Sequence, residues 1–125
     1  MNRIVLSRNL QVWEIECNCG CGFIGISKEL VAMWQAARDL FGEPIQITSG
    51  CRCESHNKNI KGSPTSSHIK GLAMDVTCRN PTQFNLLRLA WCFGRAGIPR
   101  VCFRNGATFL HIDVDDSKSG GFFSY

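Results

Sequence analysis

Two candidate metal ligands, His68 and Asp75, stand seven positions apart in Ser67-His68-Ile69-Lys70-Gly71-Leu72-Ala73-Met74-Asp75, and this spacing restricts the backbone that can join them. Seven residues of one straight helix rise about 10.5 Å, too far for two side chains to share an ion whose bonds are about 2 Å. If the pair meets, His68 lies on a loop, Gly71 turns the chain, and Asp75 sits on a strand. Residues 73–77 read as that strand, with Met74 and Val76 toward a core and Ala73, Asp75 and Thr77 on the other side.

A second strand is expected over residues 109–115. Leu110, Ile112 and Val114 form its apolar face; Phe109, His111, Asp113 and Asp115 form the other. Pairing the two strands with Asp75 near His111 lets His68 close from its loop. The result is two imidazoles and one carboxylate with a fourth position open, a ligand set that suits a catalytic zinc and not a closed structural one.

The remaining pattern supplies a scaffold. Ser27 offers an N-cap, Leu30, Met33, Trp34, Ala37, Leu40 and Phe41 follow helical spacing, and Gly42 ends the helix. Ile45-Gln46-Ile47-Thr48 alternates as a strand before Ser49-Gly50, and His56 and Asn57 fall in a short helix. Asn80 and Pro81 mark the start of another helix, with Phe84, Leu87, Leu89, Ala90, Trp91 and Phe93 as its apolar residues. Residues 101–103 read as a strand, turned by Asn105-Gly106 into the His111 strand as its antiparallel neighbour. The first 25 residues and the aromatic tail (Phe122, Phe123, Tyr125) show no clear period.

A chain of 125 residues, 44% hydrophobic and 19% charged, is expected to form one domain over residues 1–125. Its fourteen basic residues against ten acidic ones give +4 without a basic block, which argues against nucleic-acid binding. No secretion signal and no stretch of roughly 20 apolar residues is visible. A monomer is the expected state. Of eight cysteines, Cys17, Cys19 and Cys21 form CxCxC, not the common CxxC knuckle. Free thiols are the default; disulfides from this group to Cys51 or Cys53, or a second closed metal site, are the alternatives.

The segment from Ser67 to Asp75 resembles the SxHxxGxAxD signature of the zinc D-Ala-D-Ala metallopeptidases, the M15-like peptidases with the hedgehog/DD-peptidase fold. Leu110-His111-Ile112-Asp113 resembles their closing zinc-histidine strand. Thr48-Ser49-Gly50-Cys51-Arg52-Cys53-Glu54-Ser55-His56-Asn57 is similar to the SGYRC..HN segment of compact bacterial and phage members. The resemblance runs from about residue 26 to 115. The fold expected is α+β: a small, mostly antiparallel sheet with the site on one face and helices on the other.

The resemblance implies a zinc-dependent hydrolase of peptidoglycan stem peptides, of carboxypeptidase or endopeptidase type, with one Zn2+ held by His68, Asp75 and His111. A wall-degrading enzyme without a visible signal is expected to be released on lysis or carried in a particle, a pattern that fits a phage or prophage product. Arg52 would anchor a substrate carboxylate. Ser49 and Ser67 are candidates for further substrate hydrogen bonds, Ser67 equally for fixing the His68 loop. His56 is not needed as a ligand. One departure stands out: many relatives carry an acid or histidine two or three positions before the last zinc ligand as general base, where this chain has Phe109 and Thr108. Asp113 is the substitute, as base or as support for His111. The gap keeps two other readings open: a zinc-stabilised binding module like the hedgehog signalling domain, or a phage structural protein.

Overall fold

The computed structural model describes residues 2–104 and 106–124. In chain order the elements are β1 (Val5–Ser7), β2 (Leu10–Gln11), a 3-10 turn (Val12–Glu14), α1 (Lys28–Phe41), β3 (Ile45–Ser49), α2 (Glu54–Asn59), β4 (Ala73–Cys78), α3 (Gln83–Arg95), β5 (Arg100–Phe103), β6 (Leu110–Asp113) and β7 (Gly121–Ser124). β1 and β2 form a small hairpin, and the other strands form one sheet in the order β3-β4-β6-β5-β7.

The fold is α+β, as the sequence predicts, with one addition. The aromatic tail supplies β7, which runs parallel to β5 at the sheet edge, while every other pairing in the sheet is antiparallel. Asn105 and Tyr125 lie outside the described residues, so the expected Asn105-Gly106 turn and the last aromatic are not placed; β5 and β6 are nevertheless antiparallel neighbours.

Strand alternation divides the sheet into two faces. Met74, Val76, Val101, Leu110 and Ile112 are buried against Leu30, Trp34 and Ala37 of α1 and Leu89 and Phe93 of α3. Asp75 and His111 fall on the opposite parity and face each other across β4 and β6. Burying the apolar side under two helices thus fixes which side carries the polar residues, because a one-residue slip would send Asp75 and His111 into the core.

The helices depart from expectation in detail. Ser27 caps α1 by accepting from the Leu30 N–H, and Gly42 ends it. Val31 is buried and Leu40 exposed, since Leu40 lies six positions on from Trp34, about 120° around the helix from it. In α3 the cap is Thr82, whose hydroxyl accepts from Asn85 N–H. Asn80, the expected cap, instead takes a left-handed φ of 52° and accepts the Asn85 side chain on its carbonyl. Leu86, Leu89, Ala90, Cys92 and Phe93 form the buried stripe of α3, whereas Phe84, Leu87 and Trp91 point outward. Among the described residues no helix is long and apolar enough to cross a membrane.

Candidate metal centre and cleft

Gly71 makes the turn that the His68–Asp75 spacing requires. It has φ +71°, and a Cβ there would lie 2.0 Å from the Gly25 carbonyl oxygen. That close approach lets Gly71 accept a hydrogen bond from Ser27 N–H, so the turn is fastened to the start of α1. The chain then enters β4 with Asp75 opposite His111.

His68, Asp75 and His111 converge, with their candidate ligand atoms within 4.8 Å of one another. His68 Nε2 is 3.2 Å and His111 Nδ1 3.1 Å from the same oxygen, Asp75 Oδ1. The remaining ring nitrogens are held from behind. His68 Nδ1 lies 2.7 Å from the Gly50 carbonyl, and His111 Nε2 2.7 Å from Asp113 Oδ2. Carbonyl and ionised carboxylate oxygens only accept, so those nitrogens carry the ring protons. In the neutral rings, Nε2 of His68 and Nδ1 of His111 therefore point lone pairs at a carboxylate oxygen.

Three acceptors facing one another at this distance repel unless a cation lies among them. A proton is one such cation. Burial works against the charged form of His111, but hydrogen bonds to Asp113 and Asp75 outweigh it and raise its pKa to about 8. Burial likewise pushes Asp75 up, and its bonds to His111 and His68 bring it down to about 2. A metal ion is the other such cation, and two imidazoles with a carboxylate are a zinc-type donor set that leaves one position for a reactant.

Asp113 and Asp115 are not surface acids; both are buried. Asp113 grips the outer edge of the His111 ring, forms an ion pair with Arg100 at 3.2 Å, and accepts the Asp115 N–H. Asp115 accepts from Ser117, Ser67 and Lys70, and the Ser117 hydroxyl bond leads in holding its carboxyl well below the usual range. Ser67 thus commits its hydroxyl proton to Asp115 and ties the His68 loop to the end of β6.

Arg52 joins His68, Asp75 and His111 along a cleft of about 400 Å³. Its Nη1 donates to Asn57 Oδ1 at 3.0 Å and its Nη2 to Ser49 Oγ at 3.4 Å, and its Nε has no protein partner among the described residues. Two of five guanidinium N–H groups are therefore used to orient the fork. Ser49 acts on Arg52 in this arrangement. Arg100, Arg104 and Lys118 also line the cleft, three cations that no sequence motif singled out. Phe109 lines it where relatives would carry a base, His56 does not line it, and Asp75 is its only acidic lining residue among those described.

A family model for peptidase M15 matches residues 8–113. The chain belongs to the peptidase M15 family. Peptidases of this family are typically metal-dependent, and His68, Asp75 and His111 are the candidate metal-binding residues here. The solved structure of the L-Ala D-Glu endopeptidase ChiX of Serratia marcescens has a similar fold, with a TM-score of 0.56 at 20% identity over 71% of this chain and 80% of that one. No curated protein matches the M15 chain.

Proposed function

We propose that this M15 chain is a zinc-dependent hydrolase of peptidoglycan stem peptides. The observation that carries the proposal is the pair of histidines whose rear nitrogens are tied to Gly50 and Asp113 while their front nitrogens meet Asp75 Oδ1. This is a set of preoriented ligands, each imidazole held in one tautomer by a partner behind it.

His68, Asp75 and His111 would hold the ion. Held there, zinc would supply the Lewis acidity that polarises a carbonyl and lowers the pKa of water to about 7. Arg52 holds a substrate carboxylate with N–H groups not used by Asn57 and Ser49. Arg100, Arg104 and Lys118 make the cleft cationic, which suits stem peptides rich in free carboxylates and draws them in by long-range attraction. Ser67 and Asp115 keep the His68 loop in place, and Asp113 keeps the His111 ring turned toward Asp75. A relative in fold being named an L-Ala D-Glu endopeptidase supports a cell-wall peptide as substrate.

The lack of a second carboxylate among the described lining residues favours one alternative, a zinc-stabilised module that binds such peptides without cutting them. Incubation with cross-linked and uncross-linked muropeptides, with chelator and with zinc restored, separates the two. Zinc-dependent release of D-alanine or internal cleavage supports the hydrolase. Saturable binding with no product from zinc-replete protein assigns the binding module instead.

A further inference from the structure

A second group of metal-type ligands lies away from the cleft, where the N-terminal loop meets the start of α2. Cys17, Cys19, Cys21 and Cys53 bring their four sulfurs within 4.8 Å of one another. Cys17 Sγ is 3.5 Å from Cys19 Sγ and 3.7 Å from Cys53 Sγ, and Cys19 Sγ is 3.7 Å from Cys53 Sγ. A disulfide would place two sulfurs about 2.05 Å apart and leave the others out. Four sulfurs around one zinc at about 2.3 Å give tetrahedral edges of about 3.8 Å, close to all three distances.

The local backbone supports the same reading. Gly20, with φ +83°, turns the loop between Cys19 and Cys21, and its N–H returns to the Cys17 carbonyl. Cys17 N–H donates to the Phe23 carbonyl, closing the loop at its far end. The Cys53 N–H points to Cys17 Sγ and the His56 N–H to Cys53 Sγ, each at 3.4 Å. Amide donors aimed at sulfur favour thiolates, the form that binds metal. All eight cysteines are unbridged, and Cys51, Cys78, Cys92 and Cys102 are buried and not part of this group of four.

We propose that Cys17, Cys19, Cys21 and Cys53 form a closed tetrathiolate zinc site that bolts the N-terminal loop to the segment carrying Arg52. Four protein ligands leave no position for a reactant, so the role is structural. Its position makes it relevant to the cleft. Cys53 directly follows Arg52, and the Gly50 carbonyl that fixes His68 belongs to the same segment, which is also tied to the N-terminal region by Cys51 N–H donating to the Ile15 carbonyl. The zinc content of the whole chain then rises from one to two.

The test is metal stoichiometry together with cobalt spectroscopy on the full chain, purified under reducing conditions. Wild type is expected to hold two zinc ions, and His111→Ala one. The ion kept by His111→Ala, exchanged for cobalt, should give an intense thiolate-to-cobalt charge-transfer band. Cys19→Ser should lose that band and one zinc while keeping the ion at His68, Asp75 and His111. If Cys19→Ser fails to fold, wild type decides alone: chelator treatment should release two zinc ions and unmask four additional thiols to a thiol reagent. One zinc in wild type, all of it lost in His111→Ala, would overturn the site. So would a cobalt spectrum without thiolate bands, or a cluster that mass spectrometry finds disulfide-bonded with no metal.

Discussion

His111 Nε2 lies 2.7 Å from Asp113 Oδ2, and this contact fixes which nitrogen of His111 faces Asp75. The carboxylate sits behind the ring, buried between Arg100 and the Asp115 N–H, and not in front of it beside a reacting carbonyl. The geometry fits orientation of a ligand better than removal of a proton from water. Asp113→Asn is therefore expected to weaken zinc binding roughly 10–100-fold, with turnover recovered when zinc is in excess. A loss of turnover that excess zinc does not rescue, with the ion fully bound, would make Asp113 the base.

Arg52 is positioned by Asn57 and Ser49, with N–H groups left over for a carboxylate. A lysine keeps the charge but loses the planar fork and both positioning contacts. Arg52→Lys should raise KM roughly 10–100-fold, the scale of one charge-assisted hydrogen bond, and leave zinc content unchanged. Unaltered KM for a substrate with a free carboxylate would remove Arg52 from substrate binding.

The strands and the convergence of His68, Asp75 and His111 were legible because each rests on a local rule. Period-two alternation put Met74, Val76, Leu110 and Ile112 on one side, and burial of that side left Asp75 and His111 together on the other. What lay beyond local rules was not legible. The β7 tail has no alternation and gains its place only by pairing with β5. Asn80 and Thr82 are both good caps, and the choice between them is made by the left-handed turn at Asn80. The cationic rim comes from Arg100, Arg104 and Lys118, which meet only after folding; for the sulfur cluster, whose fourth cysteine stands 32 residues beyond Cys21, the sequence named Cys51 and Cys53 as candidate partners without choosing between them.

Gly71 carries the turn on which the triad depends. An alanine there must accept φ +71°, costing about 1–2 kcal/mol, and must push its Cβ away from a backbone oxygen 2.0 Å distant. Since that oxygen belongs to Gly25 next to the α1 cap, it cannot yield without moving the Ser27–Gly71 hydrogen bond. Gly71→Ala should lose roughly 2–5 kcal/mol of stability, read from denaturant unfolding, and weaken zinc at His68. Wild-type stability in this variant would mean that the turn tolerates a side chain.

The raised pKa of His111 gives the chelated and zinc-loaded proteins opposite responses to pH. In chelated protein the imidazolium donates to Asp75 and Asp113 at once, which lifts its pKa from 6.5 to about 8. A folded pKa above the unfolded one means a stabilisation fully present below pH 6.5 and lost as pH rises through about 8, worth about 2 kcal/mol. Zinc must displace the proton on Nδ1, so its affinity for His68, Asp75 and His111 should instead increase over the same interval. Thermal unfolding of chelated wild type and of His111→Gln from pH 6 to 9 isolates the effect, because every other titrating group is common to both. Wild type should lose more stability than His111→Gln across that range, whereas zinc titrations of wild type should tighten. Parallel stability curves for the two chelated proteins would show that His111 does not bridge the two carboxylates.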